Sequence, residues 1–158
     1  TRPTVTADEQ LGFLPGNINK KMDPWTRPIF DVFKDTWTNN RIQSMISEGK
    51  IEISPLAYMR GRTFKNAVII ADQMQNATPS QLKMLLTRLG DDSKIILTGD
   101  LQQSDRRGQN GLEEFMSLVQ THEYEYIDIC EFSAEDIERH PAVIEVLNVY
   151  GVNDTTDL

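Results

Sequence analysis

The chain has 158 residues with 39% hydrophobic and 25% charged content, enough for one globular core and too little for two ordinary domains. A formal net charge of -8 and a pI near 4.7 exclude a surface that grips nucleic acid by bulk positive charge, so any such contact has to be local. A lone cysteine, Cys130, excludes an internal disulfide, and with only His122 and His140 beside it there is no zinc set.

No apolar run approaches the roughly 18 residues that cross a bilayer, and Thr1-Arg2-Pro3 does not open a signal peptide. The expected setting is the reducing cytoplasm, with no membrane partner. The absence of an initiator Met suggests a trimmed or partial chain.

Residues 1 to 24 carry turn signals at Pro15-Gly16 and Asp23-Pro24, which predicts a connecting segment with little regular structure. From Trp25 to Asn39, Ile29, Val32, Phe33 and Trp37 recur at helical spacing, and Ile42, Met45 and Ile46 continue it up to Gly49. Two helices joined near Asn40 are expected. Trp25, Phe30, Phe33 and Trp37 suit a helix packed on a sheet better than base stacking. Ile51-Glu52-Ile53 alternates like a short strand that Pro55 terminates.

Val68-Ile69-Ile70-Ala71 is a continuous apolar run of the kind found in central parallel strands, and it ends on Asp72. Lys94-Ile95-Ile96-Leu97 repeats the arrangement and runs into Thr98-Gly99-Asp100. Between them Thr78-Pro79-Ser80-Gln81 reads as a capping box with Pro at the first helical position, and Leu82, Leu85, Leu86 and Leu89 share a face before Gly90. A right-handed crossover then leaves Asp72 and Asp100 on one sheet edge. A helix from about Gly111 to Val119, a strand from Tyr124 to Cys130 and a helix from about Pro141 to Tyr150 complete an α/β alternation, before a frayed tail from about residue 151. Cys130, ending an apolar strand, is expected to be buried.

Ligands of open α/β sheets sit beyond the carboxyl ends of the strands, which makes Asp72 and Asp100 functional candidates. An apolar strand ending in Asp suits the hydrated Mg²⁺ of a nucleoside triphosphate; the plain alternative is that Asp72 caps the following loop. Gln103, three residues past Asp100, suits sensing of a γ-phosphate or orientation of water, against the alternative of an ordinary polar turn. Arg60 and Arg62 flank Gly61 and suit phosphate or an RNA backbone, or else are solvated loop charges. Tyr58 is the preferred adenine or base contact.

Leu11-Gly12-Phe13-Leu14-Pro15-Gly16, Met59-Arg60-Gly61-Arg62-Thr63, Leu86-Thr87-Arg88-Leu89-Gly90 and Thr98-Gly99-Asp100 together resemble the signatures of the PhoH family, in the family's order. The resemblance runs from Thr1 to about Tyr150. It implies a parallel-sheet P-loop NTPase core similar to RecA and superfamily 1 helicases, with its N-terminal part missing here, that binds ATP with Mg²⁺, assembles as a homo-oligomeric ring and acts on RNA. By that resemblance Asp72 falls at the Mg²⁺-coordinating acid of Walker B, and Asp100 with Gln103 on the helicase-like Gly-Asp-x-x-Gln sensor. Arg2, in the family's Thr-Arg-Pro, falls near the nucleotide. Arg139, in a late Arg-His pair with His140, is implied to reach a nucleotide across a subunit boundary, or to make a salt bridge at a helix start. Arg106 and Arg107 resemble the family's Arg-Gly element after the sensor.

Two departures stand out. The family's strand-end Asp-Glu is Asp72-Gln73 here, and Gln73 cannot accept a proton; loss of a general base costs roughly 10² to 10⁴ in rate while leaving nucleotide binding largely intact. No G-x-x-x-x-G-K-S/T phosphate loop occurs, which predicts weak ATP binding and negligible hydrolysis by these residues alone, and leaves a non-hydrolysing nucleotide-binding or assembly module as the alternative function.

Overall fold

The computed structural model describes residues 1–3, 18–104, 110–133, 136, 138 and 140–149. Helix α1 (Ile18–Lys34) begins seven residues before the expected start at Trp25 and runs straight through Pro24 and Pro28. The reason is a stripe: Met22, Thr26, Ile29, Phe30 and Phe33 recur at helical spacing and are the less exposed side, whereas Asp23, Arg27, Asp31 and Lys34 are exposed. Amphipathic burial here overrides a proline penalty of about 3 kcal/mol per residue. The Thr26 hydroxyl donates to the Met22 carbonyl at 3.1 Å.

Helix α2 (Asn39–Ser47) starts on Thr38, whose hydroxyl accepts from the Arg41 N–H. Its end is a Schellman motif, with Gly49 N–H on the Ile46 carbonyl and Lys50 N–H on the Met45 carbonyl. The joint between the helices is therefore residues 35–38, slightly before Asn40. The Ile51-Ile53 strand is not formed; Ile51 N–H is turned back onto Met45, and the extended pairing moves to Pro55, which bridges Arg2 in parallel.

The central feature is a pair of parallel strands, β1 (Val68–Ala71) and β2 (Lys94–Leu97), in the register Val68 to Lys94 through Ala71 to Leu97. Helix α3 (Pro79–Leu86) lies between them in sequence and carries the expected capping box: Thr78 Oγ1 accepts from Gln81 N–H, and the Gln81 side chain accepts from Thr78 N–H. After α3 the chain pairs again, Phe64 against Leu89, which leaves Leu89 half exposed rather than on the buried face. Helix α4 (Gly111–Val119) is capped by Asn110, whose Oδ1 accepts from Leu112 and Glu113 N–H, and α5 (Pro141–Val149) by His140 Nδ1 accepting from Ala142 N–H.

The core gathers Leu56, Met59, Ile69, Ala71, Met74, Ala77, Leu82, Leu85 and Leu112, with Ile95 and Leu97 against it. One face of the strand pair thus packs on α3 and α4. The other does not: Val68 is 69% and Ile96 40% exposed, so among the described residues these strands are not covered on both faces as their continuous apolar runs predict. Among the described side chains of α1 none belongs to this core; Phe30, Phe33 and Trp37 pack edge to face on each other, with centroids 5.8 and 5.3 Å apart. Residues 124–130 form no strand, and Tyr126 and Cys130 are exposed. Without a neighbouring strand in the described structure to accept its backbone bonds, that alternating segment has nothing to pair with. The chain is thus an α/β fold built on a small parallel sheet. Among the described residues no helix is long and apolar enough to cross a membrane.

Candidate functional site at the strand ends

Because β1 and β2 are parallel and in register, both chains leave the sheet on the same edge, Asp72 level with Thr98. The Thr98 hydroxyl donates to Asp72 Oδ1 at 2.8 Å, and the backbones are stitched by Thr98 N–H to the Ala71 carbonyl and Met74 N–H to the Thr98 carbonyl, each 2.9 Å. The other carboxylate oxygen, Oδ2, lies 3.9 Å from Arg2 Nε, and both side chains are a quarter exposed. Arg2 is held there by its own segment: Asp72 N–H donates to the Thr1 carbonyl at 2.9 Å, and Arg2 Nη1 donates to the Trp25 carbonyl at 3.2 Å.

Past Asp72 the backbone turns through Gln73, which sits in the left-handed region with φ +60 and ψ 41, into a one-turn helix at Met74–Asn76. A non-glycine residue there is strained by about 1 kcal/mol or more, and such positions gather at functional sites. Asp100 lies exposed on the facing loop, its Oδ1 accepting from Gln102 N–H at 2.9 Å, so it caps the turn Leu101–Gln103; Gln103 is exposed at the end of that turn, its N–H on the Asp100 carbonyl.

Several residues at this edge have no marker in sequence reading. Gln75 is fully buried, with Nε2 donating to Gln73 Oε1 at 2.7 Å and Oε1 accepting from Asp100 N–H at 3.3 Å. Ser104 Oγ donates to the Gln75 carbonyl at 3.1 Å. A Cβ added at Gly99 would lie 2.8 Å from Gln75 Oε1 and 2.7 Å from Leu112 Cδ2, so only glycine lets the loop approach this closely.

The arginine-bearing loop is built differently. Tyr58, 65% exposed, lies in the turn Leu56–Met59, and Arg60 and Gly61 follow in a turn closed by Arg62 N–H on the Met59 carbonyl, with Gly61 at φ +79. Arg60 is exposed. Arg62 grips Glu52 through two parallel hydrogen bonds, the Nη2 to Oε2 one 2.8 Å long, and its guanidinium lies 4.5 Å above the Phe64 ring. Those hydrogen bonds hold the Glu52 carboxyl below its usual range against the opposing effect of burial, and raise Arg62 in turn. The structure therefore brings Arg2, Asp72, Gln73 and Asp100 together, while Arg62 is committed to Glu52. Arg106, Arg107 and Arg139 lie outside the described residues.

Among the described residues no three His, Cys, Asp or Glu side chains cluster as metal ligands. A hydrated Mg²⁺ needs few protein carboxylates, and Asp72, oriented by Thr98 and partly exposed, fits holding it through water.

Comparison with known proteins agrees along nearly the whole chain. Residues 1–151 match the family described as PhoH-like protein. A PhoH-like protein of Synechocystis is 43% identical over 99% of this chain and 48% of its own length. A PhoH-like protein of Bacillus subtilis is 43% identical over 95% and 47%, and Protein PhoH of Escherichia coli 44% identical over 96% and 43%. The chain spans about half the length of these curated relatives. On this match the chain belongs to the PhoH-like protein family.

Proposed function

We propose that this chain carries the acid-and-sensor part of a Mg²⁺-dependent ATPase with a RecA or superfamily 1 helicase-like core. The observation that supports this best is the joined edge: two parallel strands in register, one leading into Asp72 and the other through Thr98 to Asp100, with two peptide hydrogen bonds and a side-chain one between them there. In this reading Mg²⁺, when bound, offsets charge on the β- and γ-phosphates. Asp72 orients it, Thr98 fixes the carboxylate rotamer, and Arg2 supplies positive charge beside the same carboxylate. Asp100 and Gln103 answer the terminal phosphate from the facing loop. Tyr58 and Arg60 serve the base or an RNA strand, and Arg139 serves a neighbouring subunit of a ring in the cytoplasm.

The open sheet face at Val68 and Ile96 suits this reading, because parallel sheets are ordinarily covered on both sides in a larger body. A phosphate loop from that larger body completes the site. Gln73 favours a second reading, a nucleotide-holding or assembly module, because an amide cannot take the proton of attacking water. Turnover measured on the protein carrying the phosphate loop separates them. Gln73→Glu is expected to raise ATP hydrolysis by roughly two orders of magnitude or more; an unchanged rate favours the holding module.

A further inference from the structure

Gln75 lies between the two halves of the site and is a buried polar side chain that joins them. A fully buried amide has to satisfy its donors and acceptor within the protein, and which end points where is decided by its least ambiguous partner. That partner is the Asp100 peptide N–H, which can only donate, so the Gln75 end facing it is the carbonyl Oε1. The NH₂ group is then the end 2.7 Å from the Gln73 side chain, and the atom receiving it is the carbonyl Oε1 of Gln73. The opposite orientation sets two donors against each other at Asp100.

We infer that Gln75 is a positioning residue: it turns the Gln73 side chain so that its carbonyl faces inward and its NH₂ is the end directed away, and it ties the loop after β1 to the loop after β2. The left-handed backbone at Gln73 belongs to the same arrangement, being closed by Asn76 N–H on the Gln73 carbonyl and Met74 N–H on Thr98. Gly99 belongs to it too, since any larger residue would push into Gln75 Oε1. Resting on the nucleotide reading above, the chemistry offered at position 73 is that of a hydrogen-bond donor. It suits an anionic oxygen of a terminal phosphate and is unsuited to deprotonating water, so the site is arranged to hold a phosphoanhydride.

Side-chain amide hydrogen exchange followed by NMR on this chain, without nucleotide, tests the inference. The Gln75 NH₂ and the Asp100 peptide N–H are expected to be protected at least ~10-fold relative to unfolded chain, with the Gln73 NH₂ exchanging near the free side-chain rate. Gln75→Glu, measured at a pH where the new side chain is ionised, keeps an acceptor for Asp100 N–H but removes the donor to Gln73. In that variant Asp100 stays protected and the Gln73 NH₂, turning to donate to the new carboxylate, slows several-fold. An unprotected Gln75 NH₂, a protected Gln73 NH₂ in the unsubstituted chain, or an unchanged Gln73 rate in the variant overturns it. The measurement on the unsubstituted chain decides by itself if the variant does not fold. Because no nucleotide is used, failure here leaves the ATPase reading standing, and an inert Gln73→Glu enzyme leaves this result intact.

Discussion

At the scale of single residues, the edge of the sheet is held by contacts with almost no slack. Gly99 makes one of them: a methyl group there would meet Gln75 Oε1 at 2.8 Å, the Gln75 peptide nitrogen at 3.1 Å and Leu112 Cδ2 at 2.7 Å. Gly99→Ala is expected to destabilise the chain by about 1–3 kcal/mol through forced displacement of a packed interior, read as a lower urea midpoint. The same displacement carries Gln75 off Asp100. The position of Asp72 was legible in the sequence because an apolar run that stops on an acid marks a strand end, and that of Asp100 because the second apolar run leads through Thr98-Gly99 to it. Gln75 was not. In Asp72-Gln73-Met74-Gln75-Asn76 nothing marks Gln75 for burial, since polar residues are ordinarily outside and the partner of its carbonyl is on the facing loop, 25 residues away.

At the scale of elements, local signals succeeded where they acted alone. The α3 start is fixed by four consecutive residues, and both reciprocal bonds of its capping box form. Thr78→Ala removes one of them, at an expected cost of about 1 kcal/mol in denaturant unfolding, with Thr78→Ser recovering most of it. The α4 helix was legible as a stretch from about Gly111 to Val119, and the structure adds its cap, Asn110. Failures came where a distant partner decides the outcome. Asp23-Pro24 reads as a turn by itself, yet the stripe from Met22 to Phe33 carries the helix through it. Tyr124 to Cys130 alternates like a strand, but a strand is a relation between two segments, and here the second is lacking among the described residues.

At the scale of the whole molecule, the strand pair has two unequal faces. Ile69 is 6% exposed within the core and Ile96 40% exposed on the other side. Ile69→Ala is expected to cost about 2–5 kcal/mol in urea unfolding, as for other buried aliphatic truncations. Ile96→Thr is expected to stay within about 0.5 kcal/mol, as for surface substitutions. A large loss at Ile96 would mean that this face is covered. Charge acts on the same scale: with a net charge of -8, any RNA contact has to come from local groups such as Arg60, because Arg62 is occupied by Glu52.

The exposure of Cys130 has a practical side. It is the only sulfhydryl in these 158 residues and it lies in the open, so a maleimide dye or spin label added to this folded chain attaches at one known position. The same feature means that air oxidation can join two copies only through residue 130 of each. A covalent dimer on a non-reducing gel therefore reports that one thiol and not a subunit interface, and assembly into a ring has to be weighed with reductant present.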